Sequence, residues 1–506
     1  MVKYILRRVA ISTVVLLVGS VLLYFLITIS GDPLEDLRES QSPNRDNQMR
    51  QRSANMGLHL PWWERYIVWL RGAASCVIGQ CDLGTNREGV PVGGMLTVAA
   101  SSTLRLVILA TLLSIVIGIA LGILTAIRQY SGFDYAVTFM AFLFFSLPVF
   151  WAAVLLKEYA AIRFNNWLAD PNISLFFMIG AGLVAALAVG LAVGGGLRRI
   201  LISMGATFAF VVGILYYFDV VRWFTQPSVG LPVFILASAG AAALILAMTM
   251  GFDNRKVVTA VGATTGIGIV AYAILRGMLL SSPSTGFLLL CFAFAILVAV
   301  ACGYLLGGFS RKHAIGLSIG VAMVMSFIAL MDLMLTNWSH YYSINKRPIP
   351  TIGAVTPNLN GDYWQSFIDV ATHLMLPTLV LMLVSLAGYT RYTRASMLEV
   401  LNQDYIRTAR SKGLPERTVI TKHAFRNSLI PLTTIVAFDF AGLIGGAVIT
   451  ETVFGWKGMG ELFRAGLANV DPPPVMAFFL VTGIAAIVMN LVADLMYAVL
   501  DPRITR

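Results

Sequence analysis

The sequence predicts an all-α integral membrane protein with about twelve transmembrane helices. Three observations carry this reading. Of 506 residues, 58% are hydrophobic and 12% charged, where an average soluble chain carries about 25% charged residues. The apolar residues gather into runs of roughly 20, the length that crosses a bilayer core as a helix. Lys and Arg, which set a net charge of +11, cluster at the ends of these runs. That is a topology signal and argues against a nucleic-acid-binding face.

The elements follow in order. Lys3, Arg7 and Arg8 precede an apolar run over 9–30. This run is too long for the core of a signal peptide, so 1–30 reads as an uncleaved first helix with its N-terminus inside. Residues 31–100 read as an extracytoplasmic loop with short surface helices, where Pro61, Trp62, Trp63 and Trp69 favour the interface. Spans are expected at 101–127 and 134–160, then at 173–194, 200–218, 230–250, 257–279, 286–308 and 314–336, and finally at 366–389, 428–449 and 474–499. Residues 337–365 form an outer loop and 390–427 an inner one.

Charge fits this alternation. Arg128, Arg198, Arg199, Arg255, Lys256, Arg311, Lys312, the stretch Arg391 to Arg426, Arg503 and Arg506 all fall on the inner side. The short outer loops hold only Arg222 in one and Lys346 and Arg347 in another. Both termini are then cytoplasmic.

Cysteine usage is sparse. Cys76 and Cys81 lie in the outer segment, where a disulfide would persist; two independent thiols are the alternative. Cys291 and Cys302 sit in an apolar run as packing residues. No Cys/His cluster suggests a metal site, and no residue pattern suggests catalysis. Among ionisable groups inside spans, Asp439 is a candidate for the translocation path, with Asp494, Asp332 and Arg276 as candidates for helix–helix contact. Gly442, Gly445 and Gly446 suit close helix packing, while His373 packs and Pro377 kinks its helix.

The inner loop is the most informative stretch. It parses as a short helix from Ala395 to Ser411, a turn at Gly413, and a second helix from Pro415 to Ser428. Gly413 takes the left-handed conformation that ends a helix. Pro415 and Glu416 suit the first turn of the next. Tyr405, Ile406 and Ala409 form an apolar patch, and Thr408, Ala409 and Gly413 let another backbone approach. On residues alone, the plainer reading is a solvated basic loop beside anionic lipid headgroups.

The stretch from Asp404 to Leu414, followed by His423 to Pro431, resembles the cytoplasmic coupling loop of ABC importer permeases of the dipeptide and oligopeptide class. Four further motifs agree in order: Gly31, Asp32 and Pro33 after the first helix; Ser146 to Trp151; Glu451 to Gly460; and Tyr497 to Leu500 with Asp501, Pro502 and Arg503. ABC importers in general carry Glu-Ala-Ala where this chain has Arg407, Thr408 and Ala409, and a later Leu-Pro where it has Phe425 and Arg426; the peptide class shares both changes. The resemblance covers about residues 1–165 and 346–506. It implies a type I ABC importer permease core, formed by 1–30, 101–165 and 346–506, with a six-helix insert at 166–345.

The resemblance also implies a bacterial inner-membrane location and an importer of di- or oligopeptides. The implied partners are a second permease subunit, two ATPase subunits that bind ATP and magnesium, and an extracytoplasmic substrate-binding protein. This subunit would be non-catalytic and hold no cofactor; it has no phosphate-binding G-x-x-x-x-G-K-[ST] loop. Asp404, Tyr405, Thr408, Ala409, Arg410, Lys412 and Gly413 would couple it to an ATPase, with Arg410 and Lys412 pairing acidic residues there. An ion-gradient-driven secondary transporter is the alternative. Against it stand the lack of an internal repeat and the coupling-type loop.

Overall fold

A computed structural model describes residues 2–193, 196–249 and 251–500. Among the described residues, ten helices are long and apolar enough to cross a membrane, or eleven if one bent pair counts as a span. Twelve spans were expected. Ten of the expected runs are long apolar helices, and one needs correction.

The correction is at 134–160. This run breaks into α6 (Gly132–Ser146) and α7 (Val149–Leu156), and the pair bends by 102°. Pro148 explains the break: it lacks an N–H and forces Leu147 out of the helical region, to φ −77° and ψ 121°. The run expected at 428–449 falls on the helix Phe425–Gly446, whose apolar stretch among the described residues is Pro431–Phe440.

α1 (Val2–Ile29) leads into the segment expected to lie outside. There, α2 (Glu35–Glu39), α3 (Arg45–Asn55) and α4 (Trp62–Ala74) are the short helices expected. They do not simply lie on a surface: Tyr66 and Trp69 of α4 pack with Tyr24 and Ile27 of α1 and with Val475 and Met476. A hydroxyl pair, Ser20 with Tyr66 at 2.8 Å, closes that contact. The next helix, α5 (Val92–Ile127), starts nine residues earlier than expected, directly after Pro91.

The insert continues from α8 (Phe164–Leu168) through α9 (Leu175–Val193), α10 (Leu197–Val220), α11 (Gly230–Thr249), α12 (Arg255–Leu280), α13 (Thr285–Leu306) and α14 (Arg311–Ile344). All six expected insert helices are present. α9 and α10 pair with each other, whereas α11 to α14 form a bundle around Phe234, Val261, Tyr272, Val321, Met325 and Leu333. A buried ion pair pins the bundle. Arg276 Nε lies 2.9 Å from Asp332, and the same carboxylate accepts the Tyr272 hydroxyl at 2.6 Å and the Gly230 N–H at 2.9 Å.

The C-terminal third holds α15 (Tyr363–Leu401), α16 (Asp404–Ser411), α17 (Glu416–Thr418), α18 (Phe425–Gly446), α19 (Val448–Val453), α20 (Met459–Ala468) and α21 (Pro472–Leu500). α15 runs past its expected end at 389, and a capping box of Asp362 and Gln365 starts it. Trp364 donates to the Leu279 carbonyl at 2.8 Å, which ties the insert bundle to this helix. Across the chain, Arg8 of α1 pairs with Asp494 of α21. Asp501, Pro502, Arg503 and Arg506 lie outside the described residues, as do the side chains of Tyr497 and Leu500.

The core of the fold is the parallel pairing of α5 with α15. The register runs Ser114 to Met382, Gly118 to Tyr389 and Gly122 to Thr393. Small residues four apart let two backbones approach closely. A Cβ on Gly118 would sit 2.6 Å from Tyr389 Cβ, and one on Gly122 would sit 2.8 Å from the Thr390 carbonyl oxygen.

Gly122→Val is therefore expected to destabilise the detergent-purified chain by about 1–3 kcal/mol, seen as a lower melting temperature. Gly320→Ala, where a Cβ meets nothing within 4 Å, is the control and should not lower it. Equal effects would contradict the close α5–α15 contact.

Candidate functional site

Residues 390–427 fold as a compact knob on the end of α15. The expected helix from Ala395 to Ser411 is instead two pieces. α15 carries on to Leu401, the chain breaks where Gln403 becomes extended (φ −73°, ψ 150°), and α16 follows. Gly413 ends α16 as expected, at φ +74°. Its N–H donates to the Arg410 carbonyl at 2.9 Å, and the Leu414 N–H reaches Ala409 at 3.4 Å. Pro415 is extended and precedes α17 instead of lying within it. The second helix does not stop at Ser428: α17 passes through a π-helical turn, Val419–Ala424, directly into α18.

The apolar patch does not face outward as a unit. Ile406 is 0% exposed and Ala409 6%, and both pack on Met397, Val419, Ala424 and Ala126. They are the knob's own core. Tyr405 lies at the surface, and its hydroxyl accepts from Asn427 at 3.0 Å. Asp404, Thr408, Arg410, Lys412 and Gly413 are exposed, with the Asp404 side chain at 97%. Open space surrounds Gly413.

Arg410 is engaged within the knob. Its guanidinium grips Glu416 bidentately at 3.0 and 2.6 Å, across the turn at Gly413. That hydrogen bonding holds the Glu416 carboxyl below its usual range. The pair is too exposed to stabilise the fold much, but it sets the shape of the turn. Lys412 has no ion pair among the described residues.

Three contacts fix the knob to the helices behind it. Asp134 at the start of α6 takes Arg394 of α15 bidentately at 2.7 and 2.8 Å. Arg391 lies 4.0 Å from the centre of the Phe145 ring. The Ser396 hydroxyl donates to the Ser428 carbonyl at 3.1 Å. Deeper in, Asp439 is half-buried and accepts the Tyr389 hydroxyl at 2.7 Å, so its carboxylate bridges α18 to α15. Gly442 faces open space, contrary to the expected packing role; the surroundings of Gly445 and Gly446 lie outside the description.

At the other end of α5 lies a constellation that sequence reasoning missed. Glu451 is fully buried, accepts the Thr103 hydroxyl at 2.6 Å, and takes the N–H groups of Gly460 and Glu461 at 2.7 and 3.2 Å. It thereby caps α20 from outside. Gly458 and Gly460 permit this: a Cβ on either would lie within 3 Å of Glu451. The motif from Glu451 to Gly460 carried the signal, but as a motif and not as a latch. Nearby, Asp471 accepts the Arg87 N–H at 2.8 Å, and burial pushes its carboxyl from 3.8 up to about 6. Cys76 and Cys81 are disulfide-bonded in the segment between α4 and α5, with Cα atoms 3.8 Å apart.

The geometry thus defines a multi-pass helical membrane protein carrying a surface knob on the ends of its core helices. Residues 264–506 match the family described as "Binding-protein-dependent transport system inner membrane component". That match agrees with the resemblance in the chain's motifs. It is 42% identical over 186 residues to the oligopeptide transport system permease protein AppB of Bacillus subtilis, covering 37% of this chain and 56% of that one. It is 39% identical over 181 residues to the oligopeptide transport system permease protein OppB of Mycobacterium tuberculosis, covering 36% and 54%. The dipeptide transport system permease protein DppB of Escherichia coli is 45% identical over 139 residues, covering 28% and 41%. The chain spans about half the length of these relatives.

Two outcomes are expected. Ile406→Asn buries an unpaired amide in the knob core, which costs about 1–3 kcal/mol from the polar group alone; limited trypsin should then cut at Arg407 and Lys412 much faster than in Thr408→Ala, whose hydroxyl bonds only the Asp404 carbonyl of its own helix. The raised Asp471 favours its protonated form in the fold, so its contribution is fully present below 3.8 and lost as pH rises through about 6. The melting temperature should therefore climb as pH falls from 7 toward 4, and Asp471→Asn should flatten that climb.

Proposed function

We propose that this chain is the membrane-spanning permease subunit of an ATP-driven, binding-protein-dependent importer of di- or oligopeptides. The carrying observation is the knob. Its apolar residues are turned inward, so what it offers a partner is a polar and basic surface: Asp404, Tyr405, Arg407, Thr408, Arg410, Lys412 and Gly413. The family match of residues 264–506 and the peptide-permease names of the relatives support the substrate class.

On this reading the knob faces the cytoplasm and docks on one of two ATPase subunits, which bind ATP and magnesium. A second permease subunit completes the path, and a binding protein delivers peptide from the other side. The disulfide between Cys76 and Cys81 supports an outer location for 31–91, since disulfides persist in oxidising compartments. Both termini then lie inside, in a bacterial inner membrane. Closure of the ATPases moves the knob and the helices attached to it as one body, a hinge-type switch. Lys412 makes no ion pair among the described residues and Arg407 only a long exposed one, 3.5 Å to Asp404, whereas Arg410 is already held by Glu416; Lys412 and Arg407 are thus the positive charges offered to an acidic partner surface.

The class is tested by purifying the chain in mild detergent from its native membrane and identifying what accompanies it. A second permease, an ATPase and a binding protein are expected; a chain that emerges alone and folded sinks the proposal. The docking face is tested by Arg407→Glu with Lys412→Glu. These exposed changes leave the knob core intact, so insertion and melting temperature should hold while ATPase co-purification and uptake of labelled trialanine fall about tenfold or more. Undiminished uptake would remove these residues from the docking surface. Ala409→Asp is no substitute, since it would break the knob itself.

A further inference from the structure

The insert helix α9 meets the core chiefly along α6. Between α9, α6, α5 and α15 lies a cavity of about 730 Å³. Every side chain lining it is apolar except Thr390; Val137, Met140, Phe144, Leu187, Leu191 and Leu386 are its larger walls. Water gains no partners in such a space. Left empty, the walls forfeit their dispersion contacts. In a bilayer, the available filling is hydrocarbon.

The dimensions and charges narrow the occupant. On α6 the lining runs from Phe133 to Phe144, about 16 Å at 1.5 Å per residue. Half of a ~30 Å hydrocarbon core is about 15 Å, the depth of one leaflet. The end of the cavity nearest the knob is marked by Ala192, whose carbonyl accepts from the Arg128 guanidinium. The next residue, Val193, lines a second hollow of about 680 Å³ together with Arg198, Arg199, Ile202 and Ala206. Arg198 and Arg199 are exposed and make no ion pair among the described residues. An apolar slot one leaflet deep, ending at unpaired arginines, matches an anionic phospholipid.

We propose that this is a binding site for an anionic phospholipid of the knob-side leaflet. One acyl chain fills the slot between α6 and α9. The phosphate rests on Arg198 and Arg199, and the second chain lies along Ile202 and Ala206 of α10. The lipid thus packs between the inserted hairpin and the core and joins the two. The charge favours lipid over a partner's apolar helix, which would leave both arginines unanswered.

The test is lipid retention by the full chain. Delipidated protein is incubated with dioleoylphosphatidylglycerol or dioleoylphosphatidylcholine in detergent, and bound lipid is counted by native mass spectrometry. Wild type is expected to retain the phosphatidylglycerol with about a tenfold preference and to melt at a higher temperature in its presence. Arg198→Gln with Arg199→Gln, at exposed positions that leave the fold alone, should abolish the preference. Ala188→Phe, which projects into the slot from α9, should reduce retention of both lipids. Equal retention of the two lipids by wild type, or a preference unchanged in the double variant, overturns the headgroup site. Retention unchanged in a folded Ala188→Phe protein, or cross-linking of a Leu187→Cys variant to a partner subunit, overturns the acyl slot.

Discussion

The structure hangs on the close parallel approach of α5 and α15. Gly118 and Gly122 leave no room for a side chain against Tyr389 and Thr393, and Ser114 adds a hydroxyl contact to the Met382 carbonyl at 3.3 Å. Lipid tails are as apolar as leucine, so helices in a membrane gain little from hydrophobic burial against each other. Tight packing of small residues supplies the association instead. Every other feature is placed from this pair. At one end, Ala126 and Met397 provide the floor on which Ile406 and Ala409 sit. At the other, Thr103 of α5 holds the Glu451 latch and so the loop from α19 to α20.

The insert obeys a different rule. Its bundle of α11 to α14 is pinned by a buried carboxylate with three donors, Asp332, and not by glycine contacts alone. Such a group is costly to bury and stays only where it is answered fully. The bundle joins the core through Trp364 at the start of α15 and through Tyr341 of α14, whose hydroxyl donates to Asp369 at 3.0 Å. The α9–α10 hairpin is looser still: α10 has no buried residue, and a cavity separates α9 from α5 and α15. The match to the permease family begins at 264, within the inserted stretch, so the bundle's last helices and the core share that region of sequence.

Much of this was legible before any coordinates. Hydropathy located all six insert helices, and glycine chemistry located the turn at Gly413. What failed, failed for physical reasons. Hydropathy reports membrane and not helix ends, so α15 was stopped at 389, although Arg391 and Arg394 continue it by stacking on Phe145 and pairing with Asp134. Pro148 announced the break between α6 and α7, but an unbroken apolar run outvoted it. Tyr405, Ile406 and Ala409 were expected to form one apolar patch because a single helix does not say which side is covered. Only the arrival of Val419 and Ala424 turns that face inward. Glu451 was invisible as a latch because its partners lie nine residues ahead and nearly 350 residues back.

The two joints of the knob are unequal. Between α15 and α16 the chain breaks at Asn402 and Gln403. On the other side, α17, the π turn and α18 are continuous, and helical geometry is first weakened at Pro431. From Glu416 to Pro431 this makes a stiff strut of about 22 Å. Mechanically, the knob is a crank welded to one shaft and pinned to the other. A load applied at α16 would reach α18 through unbroken helix and α15 across the break at Gln403; Tyr389 and Asp439, which bridge the two shafts at 2.7 Å, would carry them together.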